Sequence, residues 1–435
     1  MPGPGMELIG EEEIQEVLDV LRGGYLFRYG ISLGSEVDPR FKGKVYQVEK
    51  EIADYCGLRH AVAVNSGTSA LLTALAGLGI GPGDEVIVPG YTFIASLSSI
   101  VYSRAVPVLA EVDRTFNLDP EDVQAKITPR TKAIMAVHMM GNPARLDELR
   151  AIADERGLLL VEDCCQAFGA TYKGRPVGSI GHAGAFSFNV YKTITSGDGG
   201  MVVTNDEEVY TRCFAFHDQG HSPLRTGVEI GKRPFIGLDF RFTELQAAVL
   251  LAQFRKLPQI VSHLRANKKR YKEIIANLPG LEFREITDPE GECATMLTVI
   301  LPNEAVARNI ADELGTKVAA DAGWHVYSNM EQILEQRTVT AEKCPFTCSP
   351  YADRGGNMQY RKGMLPRTDA LLARSLNISI GVSDPGLSSA FGVTMRDGLE
   401  VVEERATRFT QVAARYLNRS RAVSDSGAVT GGARS

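Results

Sequence analysis

Between His60 and Asn205 the chain repeats one alternation: a short apolar run, then a stretch whose apolar residues recur at helical spacing. The runs AVAV (61–64), EVIVP (85–89), VPVLAEV (106–112), KAIMAVH (132–138), LLLVED (158–163), GAFSF (184–188) and MVVTN (201–205) predict strands. Ser69–Leu78, Ile94–Ser103, Pro120–Ile127 and Leu146–Arg156 predict helices between them. Strands separated by helices pair mostly in parallel and are covered by helices on both faces, an α/β architecture. Such a sheet takes its ligand beyond the carboxyl ends of its strands. The residues just after each strand are therefore the candidates for chemistry.

The flanking segments complete the organisation. Helical spacing is visible from Glu11 to Leu21, closed by Gly23-Gly24, and again from Val45 to Tyr55. A long helix is predicted from Thr243 to Leu278, and its basic cluster Lys268-Lys269-Arg270 reads as a solvated face. From Pro279 the pattern predicts a smaller α/β domain, with a strand in 294–302 and helices at Glu304–Leu314 and Leu399–Tyr416. The expected division is thus 1–278, an N-terminal arm with a large domain, 279–419, a small C-terminal domain, and 420–435, a Gly-rich disordered tail. Trp324–Pro366 is irregular and matches no periodic template.

Composition excludes several classes. The 435 residues are 44% hydrophobic and 23% charged, enough apolar material for a large soluble core. A net charge of -6 offers no basic surface to nucleic acid or an anionic membrane. No apolar run reaches the roughly 20 residues that span a bilayer, and the first residues have no export-signal pattern. Seven scattered cysteines read as thiols in a cytoplasmic enzyme.

Three post-strand segments carry chemistry. In Asn65-Ser66-Gly67-Thr68-Ser69, a small polar cluster opens a helix; its free N–H groups and the Thr68 and Ser69 hydroxyls suit a phosphate, or serve only as a cap. In Glu162-Asp163-Cys164-Cys165-Gln166, acidic residues end a very apolar strand and need a partner there. In Ser187-Phe188-Asn189-Val190-Tyr191-Lys192, a lysine follows a strand and precedes a Gly-rich turn, where an enclosed amine can act as a nucleophile. A phosphate cradle, a buried carboxylate and a lysine together match pyridoxal 5′-phosphate, whose ring nitrogen needs the carboxylate and whose aldehyde needs the amine.

The motifs VNSGTSALLTAL, GDEVIVPGYTFIAS, ITPRTKAIMAVHMMG, VEDCCQAFGA, SFNVYKTITSGDGG and GLDFRFTELQAA, in this order, resemble the DegT/DnrJ/EryC1/StrS sugar aminotransferases from about Ile9 to Phe254. The resemblance implies the aspartate-aminotransferase-like fold (fold type I) and a homodimer with shared active sites. It implies that Lys192 bonds the cofactor and shuttles the substrate proton, that Asp163 pairs with the ring nitrogen, and that Gln166 lies near the ring. Gly67, Thr68, Ser69 and Ser187 would hold the phosphate and Phe93 would stack on the ring. The implied reaction is ping-pong transamination from glutamate or glutamine to a keto or aldehyde sugar. Within the family, Phe27-Arg28-Tyr29, HMMG, KTIT and FREITDPEG are similar to the transaminases of 8-amino-3,8-dideoxy-octulosonate, an envelope sugar; a secondary-metabolite sugar is the other candidate. Arg28 and Tyr29 are then candidates for substrate contact, with His221 and Arg241 beside them. One departure stands out: the family often has Asn where this chain has Asp239, and an ionised Asp there would repel phosphate unless turned away or offset by Arg241.

Two other readings stay open. Sugar dehydratases of the family carry His in place of the lysine, which Lys192 argues against. A non-catalytic ligand sensor would not need the intact lysine, carboxylate and cradle. No metal is expected: Cys344 and Cys348 lack a second ligand pair, and Gly220 breaks the helix between His217 and His221.

Overall fold

The computed structural model describes residues 3–30, 38–223 and 233–428, with side chains to residue 418. Ten main strands carry the fold. A seven-stranded sheet is built from β1 (His60–Val64), β2 (Glu85–Pro89), β3 (Val106–Ala110), β4 (Thr131–Val137), β5 (Leu159–Asp163), β8 (Ala183–Ser187) and β9 (Gly200–Thr204), in the order β1-β9-β8-β5-β4-β2-β3. The remaining pair of short strands in this half, β6 (Thr171–Tyr172) and β7 (Arg175–Pro176), forms a hairpin. Pairings β3-β2-β4-β5-β8 are parallel, while β9 runs antiparallel to both β8 and β1. The reversal of β9 has a simple cause. A parallel return needs a crossover of a dozen or more residues, usually a helix; residues 188–199 contain no helix and turn the chain straight back. Lys192 lies in that turn.

Side chains along each strand feed two cores alternately, as period-two geometry requires. On β1, Ala61 and Ala63 pack with Val48, Ile52, Leu250 and Leu251, whereas Val62 and Val64 pack with Leu71, Leu75 and Phe214 on the opposite face. Both faces are covered, which explains the unbroken apolar runs. Helix Glu244–Ile275 begins at a Thr243 cap whose hydroxyl accepts the Gln246 N–H.

A three-stranded antiparallel sheet follows, β10 (Glu282–Phe283), β11 (Met296–Ile300) and β12 (Ser375–Ser379), in the order β10-β11-β12. Helices Glu304–Leu314 and Leu399–Ala428 accompany it.

Three expectations need correction. Residues 327–365 do not pack as part of the second unit: Tyr327, Phe346, Tyr351, Tyr360 and Leu365 fill the large sheet's core beside Val86, Val88 and Ile100. Their aromatic rings need apolar cover, which the β2-β3 end of that sheet supplies, and the Tyr360 hydroxyl donates to Pro107 O on β3 at 2.6 Å. The expected tail from 420 is instead helical to Ala428, continuing the helix from Leu399; residues 429–435 lie outside the described residues. Cys344 and Cys348, expected as thiols, form a disulfide, because the short loop between them brings their Cα atoms to 5.2 Å. Cys56, Cys164, Cys165, Cys213 and Cys293 remain thiols. Among the described residues no helix is long and apolar enough to cross a membrane.

Candidate active site

The C-terminal ends of β1, β5 and β8 open into a cavity of about 630 Å³. Gly67, Thr68, Phe93, Asp163, Gln166, Ser187 and Lys192 all line it. These residues were singled out on separate segments of the sequence, and the sheet topology brings them together.

The cradle is set by close packing. A Cβ on Gly67 would stand 2.6 Å from Ser187 Cβ and 2.9 Å from its Oγ, so only glycine lets the helix Gly67–Gly77 start this near β8. Ser66 caps the helix through the Ser69 N–H at 3.1 Å, and Ser66 O accepts the Ala70 N–H. The Gly67 and Thr68 amides precede the first intrahelical bond and sit at the positive end of the helix. Ser69 departs from expectation. It does not line the cavity; its hydroxyl donates to Asn65 Oδ1 at 2.7 Å and lies 2.9 Å from the Ser66 hydroxyl, which makes it part of the cap.

Asp163 is buried at the end of β5. Its Oδ2 accepts the Ser96 hydroxyl at 2.7 Å and its Oδ1 the Cys165 N–H at 3.1 Å. Ser96 in turn meets the Thr92 hydroxyl at 2.7 Å, so the carboxylate is fixed by a chain of hydroxyls. Gln166 Oε1 accepts the Met140 N–H at 2.9 Å, leaving its amide nitrogen as a donor. Lys192, half-buried, is positioned by a turn in which its N–H donates to Asn189 O at 2.9 Å.

The far wall comes from parts of the chain that carried no motif. Trp324, His325 and Asp384 line the cavity. Residues 324–327 run against 90–94 through main-chain bonds: Thr92 N–H to His325 O at 2.9 Å, Ile94 N–H to Trp324 O at 3.0 Å and Tyr327 N–H to Gly90 O at 3.0 Å. His325 packs 5.2 Å from the Phe93 ring. Burial, helped by the Lys192 charge, lowers its pKa to about 3, so the ring is neutral. Its Nδ1 faces Gly386 O at 2.8 Å and must carry the proton, which leaves Nε2 as an acceptor. Burial raises the pKa of the Asp384 carboxyl, against an opposing pull from Lys192. No local pattern could have found these residues; a histidine beside an irregular segment is an ordinary sight.

Four candidates for substrate contact lie elsewhere. Arg28 is fully buried, with Nη2 on both Glu49 oxygens at 3.0 and 3.1 Å and Nη1 3.0 Å from His217 Nε2. Tyr46 and Phe214 flank its guanidinium at 5.2 Å. Tyr29 donates its hydroxyl to Asp218. Arg241 pairs with Asp218 at 2.7 Å and with Asp239 at 2.5 Å, which answers the question of the unusual aspartate: Arg241 offsets it within the same chain. His221 follows Gly220 in the same region, its N–H donating to Asp218 O at 2.9 Å. None of the four lines the cavity.

The residues present fit pyridoxal 5′-phosphate. The glycine-spaced cradle suits a phosphate, the anchored carboxylate a ring nitrogen, and the lysine an aldehyde. The family profile of the DegT/DnrJ/EryC1/StrS aminotransferases matches residues 7–355. GDP-perosamine synthase of Caulobacter vibrioides is 46% identical over 226 residues, 52% of this chain and 59% of the relative, so the chain matches under two thirds of that protein. Spore coat polysaccharide biosynthesis protein SpsC of Bacillus subtilis is 38% identical over 318 residues, 72% of this chain and 78% of its own. Among solved structures, DesV of S. venezuelae, captured with a ketimine intermediate, is 31% identical with a TM-score of 0.70, covering 93% of this chain and 94% of that one. The fold is that of the type I pyridoxal phosphate enzymes, and the chain belongs to the DegT/DnrJ/EryC1/StrS aminotransferase family.

Proposed function

We propose that the protein is a cytoplasmic sugar aminotransferase that moves an amino group from glutamate or glutamine to a keto or aldehyde sugar in two half-reactions. The observation that carries this reading is the convergence of Lys192, Asp163 and the Gly67–Thr68 helix start on one cavity. Bound there, pyridoxal phosphate supplies an electron sink next to the carbon that gains or loses a proton.

The chain's own groups account for the rest. The Gly67 and Thr68 amides with the Thr68 and Ser187 hydroxyls bind the phosphate. Asp163, held by Ser96 and the Cys165 amide, fixes the ring nitrogen and favours its protonated form. Phe93 limits ring tilt on one side. Lys192 Nζ would hold the aldehyde carbon and, as a free amine, would take the proton from the amine-bearing carbon and deliver it to the carbon on the other side of the nitrogen.

The family relationship supports a homodimer with shared sites. Phe27, Leu238 and Ile236, the last 95% exposed, are large apolar side chains left in water by the single chain and form the natural contact.

The test is an absorbance spectrum of the purified protein supplied with pyridoxal phosphate, before and after glutamate or glutamine. A band at the edge of the visible that bleaches with one donor supports transamination and identifies that donor. GDP-perosamine, the product in a relative's name, then tests the second half-reaction in reverse by restoring the band's conversion without glutamate. A protein that takes up no cofactor would overturn the proposal.

A further inference from the structure

The chain has one tryptophan, and it stands at the mouth of the cavity. Trp324 keeps 58% of its surface in water, although an indole is among the side chains with most to gain from burial. Its position is nonetheless fixed. The Trp324 carbonyl accepts the Ile94 N–H and the next carbonyl accepts the Thr92 N–H, so the main chain from Trp324 onward is tied to the segment that follows β2. Gly386 lies against the ring: a Cβ there would stand 3.4 Å from Trp324 Cδ1. An aromatic ring carried on an anchored main chain, with its surface left open, has the form of a stacking platform.

Its surroundings specify what would stack. Asp384, Asp198, Asn189 and His325 line the same cavity. Carboxylates, an amide oxygen and the acceptor Nε2 of a neutral imidazole all take hydrogen bonds from hydroxyl groups. A pyranose presents hydroxyls around its edge and weakly positive C–H groups on its face, and the face of an indole is its negative part. We infer that Trp324 is the platform on which the ring of the sugar acceptor lies, and that it selects cyclic polyhydroxylated acceptors; this rests on the transaminase reading and adds a specificity residue to it.

A sole tryptophan reports on its own contacts. Enzyme loaded with pyridoxamine phosphate binds an amino sugar without reacting, so GDP-perosamine and glucosamine are titrated against it while indole emission is followed, with GDP alone in parallel. A saturable emission change with an amino sugar, and little with GDP, is the expected result. The whole change appearing with GDP alone would assign the platform to the base, and no change with either amino sugar would also overturn the proposal.

Half-reaction kinetics give the second arm. Trp324→Ala should raise the KM for the amino sugar about tenfold or more, and Trp324→Phe should recover most of the loss. The loss should fall on the sugar side, with the glutamate half-reaction moved by less than roughly twofold. Equal losses in both halves would make Trp324 a support of the cofactor site and sink the platform. Wild-type enzyme whose band no amino donor bleaches would remove the transaminase reading itself, a separate and recognisable failure.

Discussion

Glu162 and Asp163 are adjacent carboxylates at the end of β5, both buried, and the pleat turns them to opposite faces of the sheet. Glu162 faces a closed shell. Its oxygens accept the N–H groups of Gly178 (2.7 Å), Ile180 (2.7 Å) and Gly181 (2.5 Å), and His138 Nε2 lies at 3.1 Å. His138 Nδ1 accepts the Ala144 N–H at 3.0 Å, so the ring is the Nε2–H tautomer donating to the carboxylate. Burial works against the Glu162 charge, but these donors outweigh it and lower the pKa. With Cys164, the pair forms a cluster of metal-ligating types within 4.8 Å of one another, yet the carboxylate's bonds are already taken. Asp163 has two protein donors and an open cavity on its other side.

Arg28 and Lys192 repeat the contrast among cations. Arg28 is enclosed by Glu49, His217 and aromatic rings; Lys192 lines the cavity. A buried charge whose partners all lie inside the chain holds the fold together. One that keeps a side open to a cavity is available for chemistry.

Substitutions can break this division. Lys192→Ala should lower kcat by about a thousandfold or more with the melting temperature of the cofactor-free protein unchanged, since no other lysine among the described residues lines the cavity to move the proton. Asp163→Asn should cost on the order of a hundredfold in kcat, read by stopped-flow of either half-reaction, with folding intact. Glu162→Gln should do the reverse. Three main-chain donors then share a neutral amide, which costs roughly 2–4 kcal/mol in denaturant unfolding, while kcat per folded molecule stays near wild type. Glu162→Gln losing activity at unchanged stability would erase the distinction drawn here.

A smaller effect concerns pH. His325 has a folded pKa of about 3 against an ordinary value of 6.5. The unfolded chain therefore binds a proton that the fold refuses, and stability falls as pH drops from 6.5 toward 3. At pH 5 the cost from this residue is about 2 kcal/mol, and His325→Asn should flatten that part of the stability profile. His217, lowered to about 3 by burial and the Arg28 charge, contributes the same slope and should persist in that variant.

The strands and the post-strand residues that line the cavity were legible in the sequence because each is local. AVAV, LLLVED and GAFSF are long enough in apolar residues to be buried on two faces, and the residues that follow them reach the site by topology alone. Ser69 is ambiguous in the sequence because a cap and a cradle use the same residue types, and the bond to Asn65 is what places its hydroxyl in the cap. Arg28 is ambiguous for a related reason: composition does not tell an arginine facing a substrate from one facing Glu49, 21 residues away. Trp324, His325 and Asp384 were invisible as site residues, since their meeting with Phe93 depends on contacts across more than 200 positions. The packing of 327–365 on the large sheet was hidden likewise, because its aromatic residues follow no period.

The wall that carries Trp324 is joined to the floor through carbonyl and amide groups of 90–94, and such bonds are indifferent to which side chains the two segments carry. The joint should therefore survive replacement of the residues it presents. Segment 324–326 could be exchanged for another sequence, and the machinery around Lys192 retained, so that new acceptors are reached by altering one wall while the amine-handling floor is inherited unchanged.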